Sequence, residues 1–315
     1  MSIESKIRQN VPLAEFSTFK IGGPAKFFIE IKDQADLLEA YEWGEKNKLD
    51  IFILGGGSNL LINSAGVNGL VIKFANEDIN VKGERLDCGA GASLAKVISI
   101  AAGNSLSGLE WAAGIPRATV GGAIRGNAEA FESPVSEIVE TVEVYDIKNK
   151  NFRIFSRNDC QFAYRQSIFK REGNLLIWQA VLKLRKADKK EIDFLIEKSL
   201  NFRQEKYPNL PSAGSVFENF DPEYIKANNL EFYNYVKNLG KMRRGKVGVG
   251  LIIDLAGLKG KTVGGAKVSL EHANHVINTG KATSEDVITL ISLIKQQVRN
   301  RFKLQLKEEV QYLGY

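Results

Sequence analysis

The chain has 315 residues, 44% of them hydrophobic and 25% charged, with a formal net charge of +6. That length accommodates two or three domains, and the composition is that of an ordinary globular protein, which excludes wholesale disorder. No apolar run reaches the roughly 18 residues of a membrane-spanning helix, and Met1 to Lys6 lacks a signal-peptide pattern, so a cytoplasmic protein is expected.

In chain order, Phe27 to Ile31 reads as a strand and Gln34 to Lys48 as a helix with Leu37, Leu38 and Tyr41 on one face. The apolar runs Ile51 to Leu54, Leu60 to Ile62 and Leu70 to Ile72 follow as strands. Leu94 to Ala102 reads as a helix, and Val142 to Ile147 and Leu175 to Leu184 as strands. A helix from Glu191 to Glu205 stops at Tyr207-Pro208, as proline requires. Beyond it lie a loop, Pro211 to Phe220, and a strand-like run, Gly250 to Asp254. Thr283 and Asp286 form a capping-box pattern ahead of an apolar face of Val287, Leu290, Ile291, Ile294 and Val298. Val310 to Leu313 closes the chain as a strand. Turns and hairpin-like pairs are too common for a doubly wound sheet, and the expected class is α+β.

Two cysteines, Cys88 and Cys160, are too few and too far apart for a disulfide framework or a zinc site and read as reduced, partly buried thiols. The two histidines, His272 and His275, have no third to complete a His-rich metal site. No metal is expected, and the proton chemistry is expected to run without histidine. The basic residues are scattered. Their densest cluster, Lys241, Arg243, Arg244 and Lys246, reads as a solvated loop, so phosphorylated small molecules rather than nucleic acid are expected as partners.

Two segments carry chemistry. In the first, Gly55, Gly56, Gly57, Ser58 and Asn59 follow an apolar strand, so main-chain N–H groups can converge on an anion without Cβ obstruction. It is neither a Walker A loop nor the dinucleotide fingerprint of nicotinamide enzymes, and a plain tight turn remains open. The second runs from Gly114 to Ala128, with Gly114, Ile115, Pro116, Arg117, Ala118, Thr119, Val120, Gly121, Gly122 and Ala123 followed by Ile124, Arg125, Gly126 and Asn127, glycines again surrounding a threonine and an asparagine. Two such loops in one chain point to a flavin cradle of another kind.

These loops precede Tyr164-Arg165-Gln166-Ser167, Ala213-Gly214-Ser215-Val216-Phe217 and Lys307-Glu308-Glu309-Val310. In that order and spacing, with Thr18 to Ala25 near the start, the chain resembles the UDP-N-acetylenolpyruvoylglucosamine reductase (MurB) family, in its shorter type II form. The resemblance implies a vanillyl-alcohol-oxidase-type FAD fold with an α+β substrate-binding domain. It divides the chain into FAD subdomains 1–74 and 75–200 and a substrate domain 201–302, with 303–315 returning to the active site. It implies FAD held by residues 55–59 and by Gly114, Ile115, Pro116, Thr119, Gly121, Gly122 and Ala123, and because both histidines lie far outside these loops the FAD is expected to be non-covalent. It also implies NADPH as hydride donor, UDP-N-acetylglucosamine enolpyruvate as substrate and a monomeric enzyme of peptidoglycan synthesis. Arg165 and Glu309 match residues that stabilise developing charge at the substrate carboxylate, and Ser215 matches the proton donor. Lys206, Tyr164 and Asn219 match the substrate side.

The chain departs from the family pattern at several positions. Arg117-Ala118 stands where a single glycine is usual, and Glu129 replaces a glycine. Glu218 and Phe220 replace lysine and proline, Gln311 a basic residue, and His275 an aromatic one. Two alternatives stay open on these residues: an FAD-linked oxidase of the same fold, and a nucleotide-sugar-binding protein that has lost its flavin.

Overall fold

The computed structural model describes residues 2–243 and 245–315. The chain divides into two units, one of Met1–Val11, Ala25–Gly57 and Asn68–Glu205, the other of Pro12–Pro24, Ser58–Val67 and Lys206–Tyr315. Each encloses its own apolar core.

In the first unit, a four-stranded sheet has the order Arg8–Pro12, Pro24–Ile31, Val67–Phe74, Asp50–Leu54. The helix Gln34–Lys46 links Pro24–Ile31 to Asp50–Leu54. Asp33 starts it by accepting from the Asp36 N–H at 2.8 Å. Its buried stripe includes Leu37, Ala40 and Gly44, and a Cβ on Gly44 would lie 2.7 Å from Ile51 Cδ1, so the missing side chain lets helix and strand pack closely. The second sheet has five antiparallel strands in the order Asn151–Ser156, Val139–Asp146, Leu175–Lys183, Arg85–Gly89, Ile79–Lys82. Val139, Val142 and Val144 suit a pleated, buried surface. Asp146 then ends the strand: its Oδ1 accepts from the N–H groups of Lys148 and Asn149 at 3.1 and 3.3 Å, turning the chain into the hairpin.

In the second unit, the antiparallel order is Ser212–Ser215, His275–Asn278, Ala266–Val268, Thr262–Val263. The helix Ser284–Phe302 buries Val287, Leu290, Ile291, Ile294 and Val298, and its capping box between Thr283 and Asp286 is formed in both directions. The last strand, Gln311–Leu313, pairs in parallel with Leu60–Ile62. Strands and helices alternate along the chain around mixed and antiparallel sheets, an α+β architecture.

Two elements overturn the reading from sequence. Ser212–Ser215, expected within a loop, is a strand. Gly250 to Asp254, expected as a strand, lies within the helix Val249–Leu255. Val249, Ile252 and Ile253 are its buried residues, three and four apart, and a run this short carries no period that separates helix from strand. Within the basic cluster, Arg244 lies outside the described residues. Met242–Arg243 pairs with Lys246–Val247, and Lys246 Nζ lies 3.3 Å from Asp221 Oδ2. Among the described residues, no helix is long and apolar enough to cross a membrane.

Candidate active site

The two glycine segments meet within the first unit. Gly55 and Gly56 leave the end of Asp50–Leu54 and run against the main chain of residues 117–119. A Cβ on Gly56 would fall 1.5 Å from the Arg117 carbonyl oxygen, and one on Gly55 would fall 3.0 Å from Thr119 Oγ1. The approach is backbone on backbone, and only glycine permits it at position 56. Gly57 is buried and turns the chain with φ +68°. The unit boundary falls after it, so Ser58 and Asn59 belong to the second unit.

The second segment is braced along its length. Gly114 has φ +82°, and a Cβ there would lie 2.9 Å from Arg203 Cδ. Arg203, on the helix Lys189–Lys206, donates to the carbonyls of Ala113 and Trp111 at 2.8 and 3.0 Å. Ile115 donates its N–H to Ala112, and Pro116 is exposed. Thr119 caps the helix Val120–Arg125 through the Gly122 N–H, Gly121 donates its N–H to the Ala90 carbonyl at 2.9 Å, and Ala123 is buried.

The Tyr-Arg motif is fastened to that same stretch. Ala163 and Gln166 exchange both main-chain hydrogen bonds at 3.0 Å, leaving Tyr164 and Arg165 at the tip of a tight turn, with Arg165 left-handed at φ +55°. Asn127 Nδ2 donates to the Ala163 carbonyl at 2.9 Å, and Ser167 Oγ donates to the Arg125 carbonyl at 2.7 Å. Both side chains are buried, so the turn is locked to the end of Val120–Arg125. The Arg165 guanidinium carbon lies 5.7 Å from the Tyr164 ring centroid.

In the second unit, Ser215 ends the strand Ser212–Ser215, after Gly214 at φ +77°. The main chain that follows is clamped by Asn274. Its carbonyl accepts from Val216 N–H at 2.8 Å, its Oδ1 accepts from Phe217 N–H at 3.0 Å, and its Nδ2 donates to the Phe217 carbonyl at 2.8 Å. Glu309 then donates its N–H to the Val216 carbonyl at 2.8 Å, joining the Glu309 segment to the Ser215 loop. The Glu309 carbonyl accepts from Asn59 Nδ2 at 3.1 Å and from Gln311 Nε2 at 3.0 Å. Ser215, Glu309 and Asn59 thus share one hydrogen-bonded neighbourhood, while Tyr164 and Arg165 belong to the first unit. Lys206 is exposed at a helix end, and Asn219, also exposed, accepts from Val249 N–H at 3.1 Å.

Both histidines lie beside this neighbourhood. His275 is the direct cross-strand partner of Ser215, and its ring centroid is 4.7 Å from that of His272 and 5.0 Å from that of Tyr207. Burial pushes the His272 pKa down, and its Nδ1 accepts from Asn274 N–H at 3.3 Å. Cys88 and Cys160 are free thiols whose pKa values burial pushes up to about 12. Among the described residues, no group of three or more His, Cys, Asp or Glu could hold a metal ion. Reading by motif assigned no role to Asn127, Ser167, Arg203 and Asn274, because what each does depends on main-chain partners that the local sequence does not show.

Two family models match the chain: an FAD binding domain over residues 25–151, and the C-terminal domain of UDP-N-acetylenolpyruvoylglucosamine reductase over residues 205–313. The chain is 36% identical to the UDP-N-acetylenolpyruvoylglucosamine reductase of Solibacter usitatus over 311 residues, covering 98% of this chain and 97% of that protein. It is also 36% identical to the enzyme of that name from Caldanaerobacter subterraneus, covering 99% of this chain and 95% of that protein. The crystal structure of UDP-N-acetylenolpyruvylglucosamine reductase from Thermus caldophilus matches at a TM-score of 0.77 and 30% identity, over 98% of this chain and 99% of that one.

Proposed function

The chain belongs to the UDP-N-acetylenolpyruvoylglucosamine reductase family, and we propose that Arg165, Ser215 and Glu309 carry its chemistry. It reduces UDP-N-acetylglucosamine enolpyruvate to UDP-N-acetylmuramate in peptidoglycan precursor synthesis, with NADPH as hydride donor and non-covalent FAD.

The residues present fit the flavin dinucleotide. A backbone junction with no room for a Cβ at Gly56 brings the main-chain dipoles of both segments together to meet a diphosphate, and Gly55 to Asn59 with Gly114 to Ala123 would hold it. Bound there, FAD supplies hydride transfer between NADPH and the terminal vinyl carbon of the sugar substrate. The protein's part is to meet the charge and the proton that this transfer creates. Electron density moves toward the carbon beside the substrate carboxylate, and the Arg165 fork pairs with that carboxylate as it gains charge. A well-placed donor of this kind lowers the barrier by roughly 3 kcal/mol. Glu309 acts with Arg165 at that end. The proton on Ser215 Oγ passes to the carbon beside the carboxylate, completing the saturated lactyl group, and solvent restores the hydroxyl. A neutral alcohol suffices because the acceptor is strongly basic.

The observation that carries this assignment is the clamp on the Ser215 loop: Asn274 from one side and Glu309 N–H from the other fix the main chain on which the serine sits. Lys206 meets the substrate diphosphate, with Tyr164 and Asn219 on the substrate side. Residues 1–74 and 75–200 form the flavin-binding part and 201–302 the substrate-binding part, and the parallel pairing of Gln311–Leu313 with Leu60–Ile62 supports the return of 303–315. The enzyme works as a cytoplasmic monomer without nucleic-acid or membrane partners. The test is to mix purified protein with NADPH and UDP-N-acetylglucosamine enolpyruvate and follow NADPH loss. Substrate-dependent consumption by a yellow preparation is expected; a colourless protein that leaves NADPH untouched would refute the reading.

A further inference from the structure

Arg117 is the only charged side chain in residues 54–62 and 114–123; Arg125, further along the second segment, lies in the last turn of the helix Val120–Arg125. It is exposed and takes the left-handed conformation, φ +55°, which costs a residue with a Cβ about 1 kcal/mol. Its carbonyl is the group that Gly56 packs against, and its Nε donates to the Gly56 carbonyl at 3.2 Å. The side chain therefore folds back across the first loop and is anchored by one edge. Among the described residues its terminal nitrogens have no further hydrogen bond and no carboxylate partner. An arginine carries five N–H donors in a planar fork, and this one spends a single donor on its anchor.

We propose that Arg117 is a cofactor-binding residue that grips the diphosphate of FAD at the junction of the two loops. This rests on the flavin reading above. Glycine amides offer dipoles but no net charge, whereas a diphosphate brings two negative charges. Within 54–62 and 114–123 only Arg117 can supply a full positive charge, in a geometry that pairs two N–H groups with two phosphate oxygens. The residue that interrupts the glycine pattern thus completes the cradle, and the Nε anchor sets the fork's position before the cofactor arrives.

The experiment titrates FAD into full-length protein stripped of flavin, following flavin fluorescence, for wild type, Arg117→Gly and Arg117→Lys. Glycine accepts the left-handed backbone and removes the whole side chain, the guanidinium and its Nε anchor included. The Kd for FAD is expected to rise by about tenfold or more in Arg117→Gly and by less in Arg117→Lys. The weakening of affinity between about 50 and about 500 mM salt should be shallower in Arg117→Gly. ADP should lose potency as a competitor in step with FAD, and the stripped variant should melt no lower than wild type. Equal FAD affinity and equal salt dependence in wild type and Arg117→Gly would overturn the proposal. So would a loss of affinity that comes with a lower melting temperature and an unchanged salt dependence, since that marks a structural bridge. A wild-type protein that binds no FAD defeats the flavin reading itself, a separate failure.

Discussion

A methyl group on Gly56 tests the union of the two glycine segments directly. In Gly56→Ala the new Cβ would begin 1.5 Å from the Arg117 carbonyl oxygen and 2.7 Å from its carbonyl carbon. Restoring an ordinary contact of roughly 3.5 Å displaces one loop by about 2 Å. Neither obstructing atom belongs to a side chain that can rotate away. Overpacking of this kind costs about 1–3 kcal/mol, and a site displaced by even about 1 Å loses on the order of a hundredfold in function. Gly55→Ala is a graded companion, because its Cβ meets only the rotatable Thr119 hydroxyl at 3.0 Å. Gly126→Ala is the control, with φ −87° and no atom nearer than 3.6 Å. FAD titration and thermal melts of the three variants should rank them, with Gly56→Ala losing at least about tenfold in affinity, Gly55→Ala less, and Gly126→Ala nothing. If Gly56→Ala binds flavin as tightly as Gly126→Ala, the two segments do not form the cradle.

Asn274→Ala leaves the buried Phe217 N–H and carbonyl without partners at roughly 1–3 kcal/mol each, so chemical denaturation should show a loss of about 2–5 kcal/mol; an unchanged midpoint contradicts the clamp. Burial opposes ionisation of Asp146, but hydrogen bonds from Asn149, Arg153 and Asn174 outweigh it and hold its pKa down at about 2, against 3.8 ordinarily. A depressed carboxyl stabilises the fold fully above 3.8 and loses that contribution as pH falls toward 2, so the melting-temperature deficit of Asp146→Asn should shrink across that window. A deficit independent of pH would show that the charge is irrelevant. Arg165→Lys keeps a cation but loses the fork, and kcat/KM for the sugar substrate should fall on the order of a hundredfold with the fold intact.

The C-terminal helix was readable because 19 residues carry a capping box and a sustained 3.6-residue apolar period. The helices Pro222–Asn228 and Leu230–Asn238 escaped notice: each is under three turns, and their starts rest on single capping residues, Asp221 and Asn229. Gly250 to Asp254 failed for the same shortness. In the site, residue types were legible but their meetings were not. Glycines at 55–57 announce a backbone that must approach something, yet only folding shows that Gly56 faces Arg117. Arg117 looked like an interruption of a flavin loop because its left-handed backbone and its bond to Gly56 are invisible in a string of letters. Asn274 went unseen because a buried asparagine earns its place through partners distant in sequence, here Val216 and Phe217.

The proton assigned to Ser215 is best tested by separating the two halves of turnover in a stopped-flow instrument. With Ser215→Ala, reduction of the bound flavin by NADPH should proceed near the wild-type rate, while its reoxidation by UDP-N-acetylglucosamine enolpyruvate should slow at least about a hundredfold. Equal slowing of both halves, or of neither, would contradict the account.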